Sequence, residues 1–236
     1  MRLETKFDVI YAKTCKLYKM PYHSQYDQDQ YLETTIFKGF RKGVFVDVGA
    51  HDGKSFNNTL FFEEERGWTG LNIEPIPDVF ARLQAQRPHC INLCCAIDET
   101  TGTADFLLNT GYTEMLSGLH RQYDPRHKHR VETEIRQHGG TSTILQVPTR
   151  RLDDIFKEHG IQHVHYLSVD VEGAERSVLK SIDFQKVFID VIEFENNYPN
   201  VSDSIVNDLE RKGYQVLQKS GIDIFMIHED SQFLSS

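Results

Sequence analysis

Short β-branched runs alternate with amphipathic stretches along most of this chain. VFVDVG (44–49) is apolar and β-branched, the pattern of a strand buried on both faces. GLNIEP (70–75) and CINLCCAI (90–97) repeat that pattern. Between them, residues 54–66 bring Phe56, Leu60 and Phe61 to one helical face and close at Gly67. Residues 76–87 do the same with Val79, Phe80 and Leu83 before Pro88. Upstream, Leu3, Phe7, Ile10 and Leu17 predict a helix over 3–20, and Tyr31, Leu32, Thr35 and Ile36 a second over 27–38. Downstream, a short helix (152–160), a strand (164–171), a helix (172–182), a strand (187–194) and a helix (202–212) follow. YQVLQKSGIDIFMIHE (214–229) reads as two strands joined at Ser220-Gly221, a hairpin signal. The alternation predicts a parallel sheet covered by helices and closed by an antiparallel hairpin.

Residues 99–150 interrupt this rhythm. TADFLL (103–108) and TILQVP (143–148) read as strands, and the polar stretch between them holds His120, His127, His129 and His138. That stretch is expected to pass over the active-site edge of the sheet as an insertion or lid over about 109–142. Its basic run RHKHR (126–130) fits a solvated loop better than a phosphate site, and no nearby cysteine or carboxylate completes a zinc site from its histidines.

Composition narrows the function more than the fold. In 236 residues, 26 Lys and Arg stand against 35 Asp and Glu, a net charge of −9. That disfavours a general nucleic-acid or anionic-membrane binder. Cys15, Cys90, Cys94 and Cys95 match no zinc ribbon or redox pair and read as small buried residues of a reducing compartment. With no apolar run of signal-peptide or membrane-span type, a cytoplasmic protein is expected, and the sequons at Asn57 and Asn200 read as chance.

Three constellations carry chemistry. In VFVDVGAHDG, Gly49 permits a sharp turn after the strand and Gly53 a close approach. His51 stands where a dinucleotide fingerprint has its second glycine, which argues for a ligand without pyrophosphate, S-adenosylmethionine first among them. Glu74 ends the second strand, where an acid grips ribose hydroxyls. Asp170 and Glu172 in SVDVE, with Glu193 and Glu195 in IEFE, bring four carboxylates to neighbouring strand ends. Such a group suits a general base or a cation. Asp170 and Glu172 are the expected catalytic residues, with Glu193 and His51 behind them. No metal is assigned; if a divalent cation were present, Asp170, Glu172 and Glu193 would hold it.

DVGAHDG, GWTGLNIEP (67–75) and LSVDVEGAE (167–175) together resemble the FkbM-type methyltransferases, a branch of the class I S-adenosylmethionine-dependent enzymes. SQYDQDQYL (24–32), SFNNTLFFEEERGW (55–68), LSGL (116–119) and VPTRRLDDIF (147–156) support the resemblance in order, over about residues 24–228. It implies a Rossmann-like three-layer α/β/α sandwich on a mostly parallel seven-stranded sheet. It implies one methyltransferase domain over 41–236 behind a helical lead-in over 1–40. It also implies a cofactor site: Gly49 to Gly53 around the methionine moiety, Glu74 on the ribose, and Cys95, Ala96 and Ile97 beside the adenine. Gln25, Asp47, Ala50, His51, Ser55 and Asp170 complete that set. The implied activity is methylation of a hydroxyl on a sugar, glycan or hydroxylated metabolite. An RNA ribose methylase, a non-catalytic relative and a nicotinamide enzyme are the alternatives. The missing GxGxxG and Tyr-x-x-x-Lys disfavour the last, and the negative charge disfavours the first.

Overall fold

The computed structural model describes residues 22–195, 199–220 and 223–234. The helix expected over 3–20 lies outside them, as do Cys15 and Gly221. The chain enters through α1 (Gln28–Tyr31), which widens into a π-turn over Leu32–Phe37. β1 (Val44–Val48), α2 (Leu60–Arg66), β2 (Thr69–Ile73), α3 (Pro77–Gln86) and β3 (Ile91–Leu93) follow. After the insertion come α5 (Leu152–His159), β8 (His163–Val169), α6 (Glu175–Lys180) and β9 (Phe188–Glu195), while the insertion itself carries α4 (Pro125–His138). α7 (Pro199–Glu210), β10 (Tyr214–Ser220) and β11 (Asp223–His228) end the fold.

The main sheet has seven strands in the order β10-β11-β9-β8-β1-β2-β3. β3, β2, β1, β8 and β9 run parallel, and β11 is antiparallel to both β9 and β10. Strand alternation sends Phe45 to one face, where Leu32, Ile36, Phe37, Phe61, Phe62 and Trp68 cover it. Val46 and Val48 point to the other face, under Leu152, Ile155 and Phe156 of α5 and Ile205 and Leu209 of α7. This is a Rossmann-like α/β/α sandwich. The chain leaves β1 towards β2 and leaves β8 towards β9, so the connections diverge between β1 and β8. A crevice opens there at the carboxyl ends, the place where such sheets bind ligands.

The stretch expected as a third strand (90–97) splits. β3 stays in the main sheet, while β4 (Ala96–Ile97) pairs with β7 (Ser142–Arg150) in a second sheet of order β4-β7-β5-β6. β5 (Gly102–Asn109) and β6 (Gly118–Leu119) complete it, and α4 (Pro125–His138) follows β6. Two helices also start later than their apolar pattern. Before α2, Asn57 Oδ1 accepts from Thr59 N and Leu60 N (3.0 and 2.8 Å), a side-chain turn that competes with the helix. Phe56 is thereby turned out of the core and is 56% exposed, not inward. Before α6, Glu172 and Gly173 adopt positive φ (53° and 109°), and Glu175 Oε1 accepts from Gly173 N at 2.8 Å. Among the described residues, no helix is long and apolar enough to cross a membrane.

Candidate active site

The turn after β1 is built from below. Gly49 N and Ala50 N both donate to Ile73 O at 3.0 Å, which folds the chain back over β2. Gly49 needs φ +92°, and a Cβ there would overlap the Asp170 backbone carbonyl. Gly53 does a different job. A Cβ there would lie 2.6 Å from Leu83 and 2.8 Å from Arg87, so this glycine admits the buried arginine. Arg87 is fully buried. It donates to Gly53 O (3.3 Å), Asn57 Oδ1 (3.1 Å), Thr59 Oγ1 (3.2 Å) and the Glu63 carboxylate. Asn57 and Thr59 in turn donate to Asp47 Oδ2, each at 2.9 Å. The glycine-rich turn therefore stands on an Arg87–Asn57–Thr59–Asp47 network.

Above it lies a cavity of about 510 Å³, within the range of small-molecule and cofactor sites. Gln25, Asp47, Gly49, Ala50, His51, Ser55, Glu74, Cys95, Ala96, Ile97 and Asp170 all line it, together with Glu172 and Glu193. Gly53 does not; it lies one layer beneath. Three non-glycine residues with positive φ, His51, Phe56 and Glu172, share this wall. Strain of that kind gathers where function fixes geometry. Glu74 is buried and accepts from Ile76 N at 2.8 Å. Burial pushes its carboxyl up to about 7, against the hydrogen bonds from Ile76 and His51 N–H. Beside it, Ile76, Ala96, Ile97, Phe106 and Leu119 form an apolar end.

The opposite end is acidic. Asp170, Glu172 and Glu195 each offer an oxygen within 4.8 Å of the others. Asp170 opens to the cavity; burial by the surrounding protein, then Glu175, Asp223 and Asp47, push it up to about 7. Glu172 and Glu195 are also held well above the usual carboxylate range, by burial first and then by Asp170 beside them. Glu193 turns aside: its carboxylate accepts from the Tyr166 hydroxyl, and burial with Asp223 raises it. His51 Nε2 faces Glu114 Oε1 (2.9 Å), which also accepts from Arg82 Nη2 (2.6 Å), tying the insertion to the glycine turn.

Several of these groups escaped the sequence. Arg87, Glu114, His127 and Asp223 lie far along the chain from the motifs they join, and no spacing marks them. Cys90 and Cys95 are held protonated, pushed up to about 12 and about 11 by burial. A second cluster, His163, His165 and Asp190, lies at the opposite edge of the sheet. There His165 Nδ1 accepts from Val44 N (2.9 Å), so its neutral ring carries hydrogen on Nε2 and offers no free lone pair.

The model of the FkbM methyltransferase domain matches residues 47–216, from the end of β1 into β10. The chain belongs to the FkbM methyltransferase family. Three of the solved structures that are similar to it are these. An FkbM methyltransferase from Methylobacillus flagellatus is 15% identical over 80% of this chain and 44% of that one (TM-score 0.46). A TehB-like S-adenosylmethionine-dependent methyltransferase from Corynebacterium glutamicum is 9% identical over 93% and 96% (TM-score 0.43). A putative rRNA methylase from Clostridium thermocellum is 8% identical over 87% and 96% (TM-score 0.43). This chain spans less than half of the Methylobacillus protein. No curated protein matches it.

S-adenosylmethionine is the cofactor that the FkbM family implies, and the residues present fit it. The turn at Gly49 leaves no Cβ in the crevice, and Glu74 is a buried acceptor that two ribose hydroxyls would satisfy. That pairing has a pH signature. Hydroxyl donors stabilise a carboxylate, so such binding would lower the Glu74 pKa from about 7 and release a proton near neutrality. S-adenosylhomocysteine affinity should weaken as pH falls from 8 to 5.5, by up to about tenfold per unit below 7. Calorimetry in buffers of different ionisation enthalpy measures the released proton. Glu74→Gln should abolish both effects.

Proposed function

We propose that this FkbM family member transfers a methyl group from S-adenosylmethionine to a hydroxyl of a small-molecule or glycan acceptor. One observation carries the reading: a single cavity joins an apolar, Glu74-bearing end to a carboxylate-rich end, across the Gly49 turn. The bound cofactor would supply an activated methyl on sulfur. The chain's own residues then have four tasks. Ala96 and Ile97, with Cys95, border the adenine, and Glu74 fixes the ribose. Gly49 and Ala50 let the methionine moiety lie against backbone, between Gln25 and Ser55. Asp170 or Glu172 takes the proton from the acceptor hydroxyl, which is a poor nucleophile until it departs. Glu193 and His51 stand behind them, one on Tyr166 and the other on Glu114.

The insertion over 109–142 acts as the acceptor-side lid. Leu116 lines the cavity from it, and it excludes water while the oxygen is aligned. Alignment of this kind is worth about 7–11 kcal/mol. Methyl-labelled S-adenosylmethionine, offered with glycans, hydroxylated metabolites and RNA, tests the reading. Label on a hydroxyl of a glycan or metabolite supports it. Label on RNA alone, or none on any acceptor despite cofactor binding, contradicts it.

A further inference from the structure

The mouth of the cavity has a feature that neither cofactor binding nor proton transfer requires. Tyr26, Phe56, Tyr112 and Met115 line it, and each is between 42% and 68% exposed. Seven large apolar side chains are exposed among the described residues, and four of them gather at this opening. Singly exposed apolar residues are ordinary, whereas a group of them around a cavity marks a ligand surface. The four come from three segments, and each is held in place. Buried Gln28 takes the Tyr26 N–H on Oε1 (2.8 Å) and gives Nε2 to Asp223 (2.9 Å). Phe56 stands between two side-chain turns. On one side Asp52 Oδ1 accepts from Lys54 N and Ser55 N (3.0 and 2.7 Å), and on the other lies the turn at Asn57. Its φ of 54° is an outlier for a bulky residue, so the backbone is strained while the phenyl ring gains no burial in the core. The Tyr112 ring lies 4.4 Å from that of His138. The 3₁₀ turn Gly111–Leu116, which carries Tyr112 and Met115, is tied to His51 and Arg82 through Glu114.

We infer that Tyr26, Phe56, Tyr112 and Met115 form an acceptor subsite that takes an uncharged ring, stacked on the aromatic faces with one hydroxyl directed into the cavity. The face of an aromatic side chain is electron-rich and attracts the C–H edges of a pyranose or the edge or offset face of an aryl ring. The Met115 thioether is deformable and packs against either. A linear polyol offers no such face. A ring still joined to phosphate would bring anionic charge to a mouth with little to receive it. Arg130 is the one Lys or Arg among the described residues that line the cavity, and it already sits among Glu134, Glu172 and Glu195. The purpose of the subsite rests on the transferase reading, and its ligand chemistry rests on the rim.

Protein saturated with S-adenosylhomocysteine is offered the methyl glycosides of the common hexoses and deoxyhexoses, catechol, sorbitol and UDP-glucose, and saturation-transfer NMR reads which ligand protons touch it. Ring protons of a methyl glycoside or of catechol should receive saturation, and which of the two does so identifies the kind of ring. Sorbitol and UDP-glucose should not compete. Phe56→Ala and Tyr112→Ala should each weaken ring binding about tenfold and leave S-adenosylhomocysteine affinity unchanged. With any acceptor that is methylated, both should raise KM and spare kcat. Phe56→Asn places a residue that tolerates positive φ at the strained position, so it should keep or raise the melting temperature while still losing ring affinity. Preference for sorbitol or UDP-glucose, no ring bound by the cofactor-loaded protein, or unchanged ring affinity in both alanine variants would overturn the subsite and leave the transferase reading standing. Absence of S-adenosylhomocysteine binding would instead remove the transferase reading, and the subsite with it.

Discussion

A Gly49→Ala variant is expected to lose S-adenosylhomocysteine binding, by at least a hundredfold, while the rest of the sheet still folds. The added methyl meets the Asp170 carbonyl, which is backbone and not the tip of a flexible side chain. Asp170 cannot retreat freely, because its N–H donates to Val48 O at 2.9 Å and continues the β1–β8 pairing. Relief must come from parting β1 and β8 where the crevice opens. Alanine at φ +92° adds its own strain of about 1–2 kcal/mol, and overpacking adds about 1–3 kcal/mol. The summed cost of about 2–5 kcal/mol falls on the turn that carries Ala50 and His51. A melting temperature lowered by about 5–15 °C with a retained circular dichroism spectrum would accompany the lost binding. Wild-type affinity in Gly49→Ala would show that the ligand does not use this turn.

Arg87→Met should cost more stability than any surface change, about 3–5 kcal/mol in urea unfolding. Methionine keeps the unbranched stem as far as the Nε position, so the loss is mainly of charge and hydrogen bonds, with a small void where the buried guanidinium lay. Glu63 keeps a partly buried carboxylate without its guanidinium, while Asn57 and Thr59 lose the donors that hold them under Asp47. The double variant Glu63→Met/Arg87→Met should recover part of the loss, because it removes the orphaned charge. S-adenosylhomocysteine binding should fall in both, since the support of the glycine turn is gone. A double variant no more stable than Arg87→Met would mean that Glu63 is not what makes the single change costly.

Arg87 also marks where sequence reading reaches its limit. The strands 44–48 and 69–73 were legible because both faces of each are largely buried, which leaves a mostly apolar run in spite of Asp47 and Asn72. Glu74 and Asp170 were legible because a parallel sheet delivers its strand ends to one edge. Phe56 misled, because a side-chain turn at Asn57 overrides the helical spacing that places it inward. The run 90–97 misled because its apolar character is shared by two strands that part into different sheets. His127 was misread for another reason. It sits in a basic, polar run that reads as a solvated surface, and only the docking of α4 buries it against Glu172.

The most direct test is the wild-type arm of the Gly49 titration, run at pH 7.5 with S-adenosylhomocysteine and NAD in parallel. The account predicts one equivalent of S-adenosylhomocysteine bound at micromolar or better affinity, with proton release and no NAD binding. NAD binding without S-adenosylhomocysteine binding would contradict the assignment of the cavity to the methyl donor.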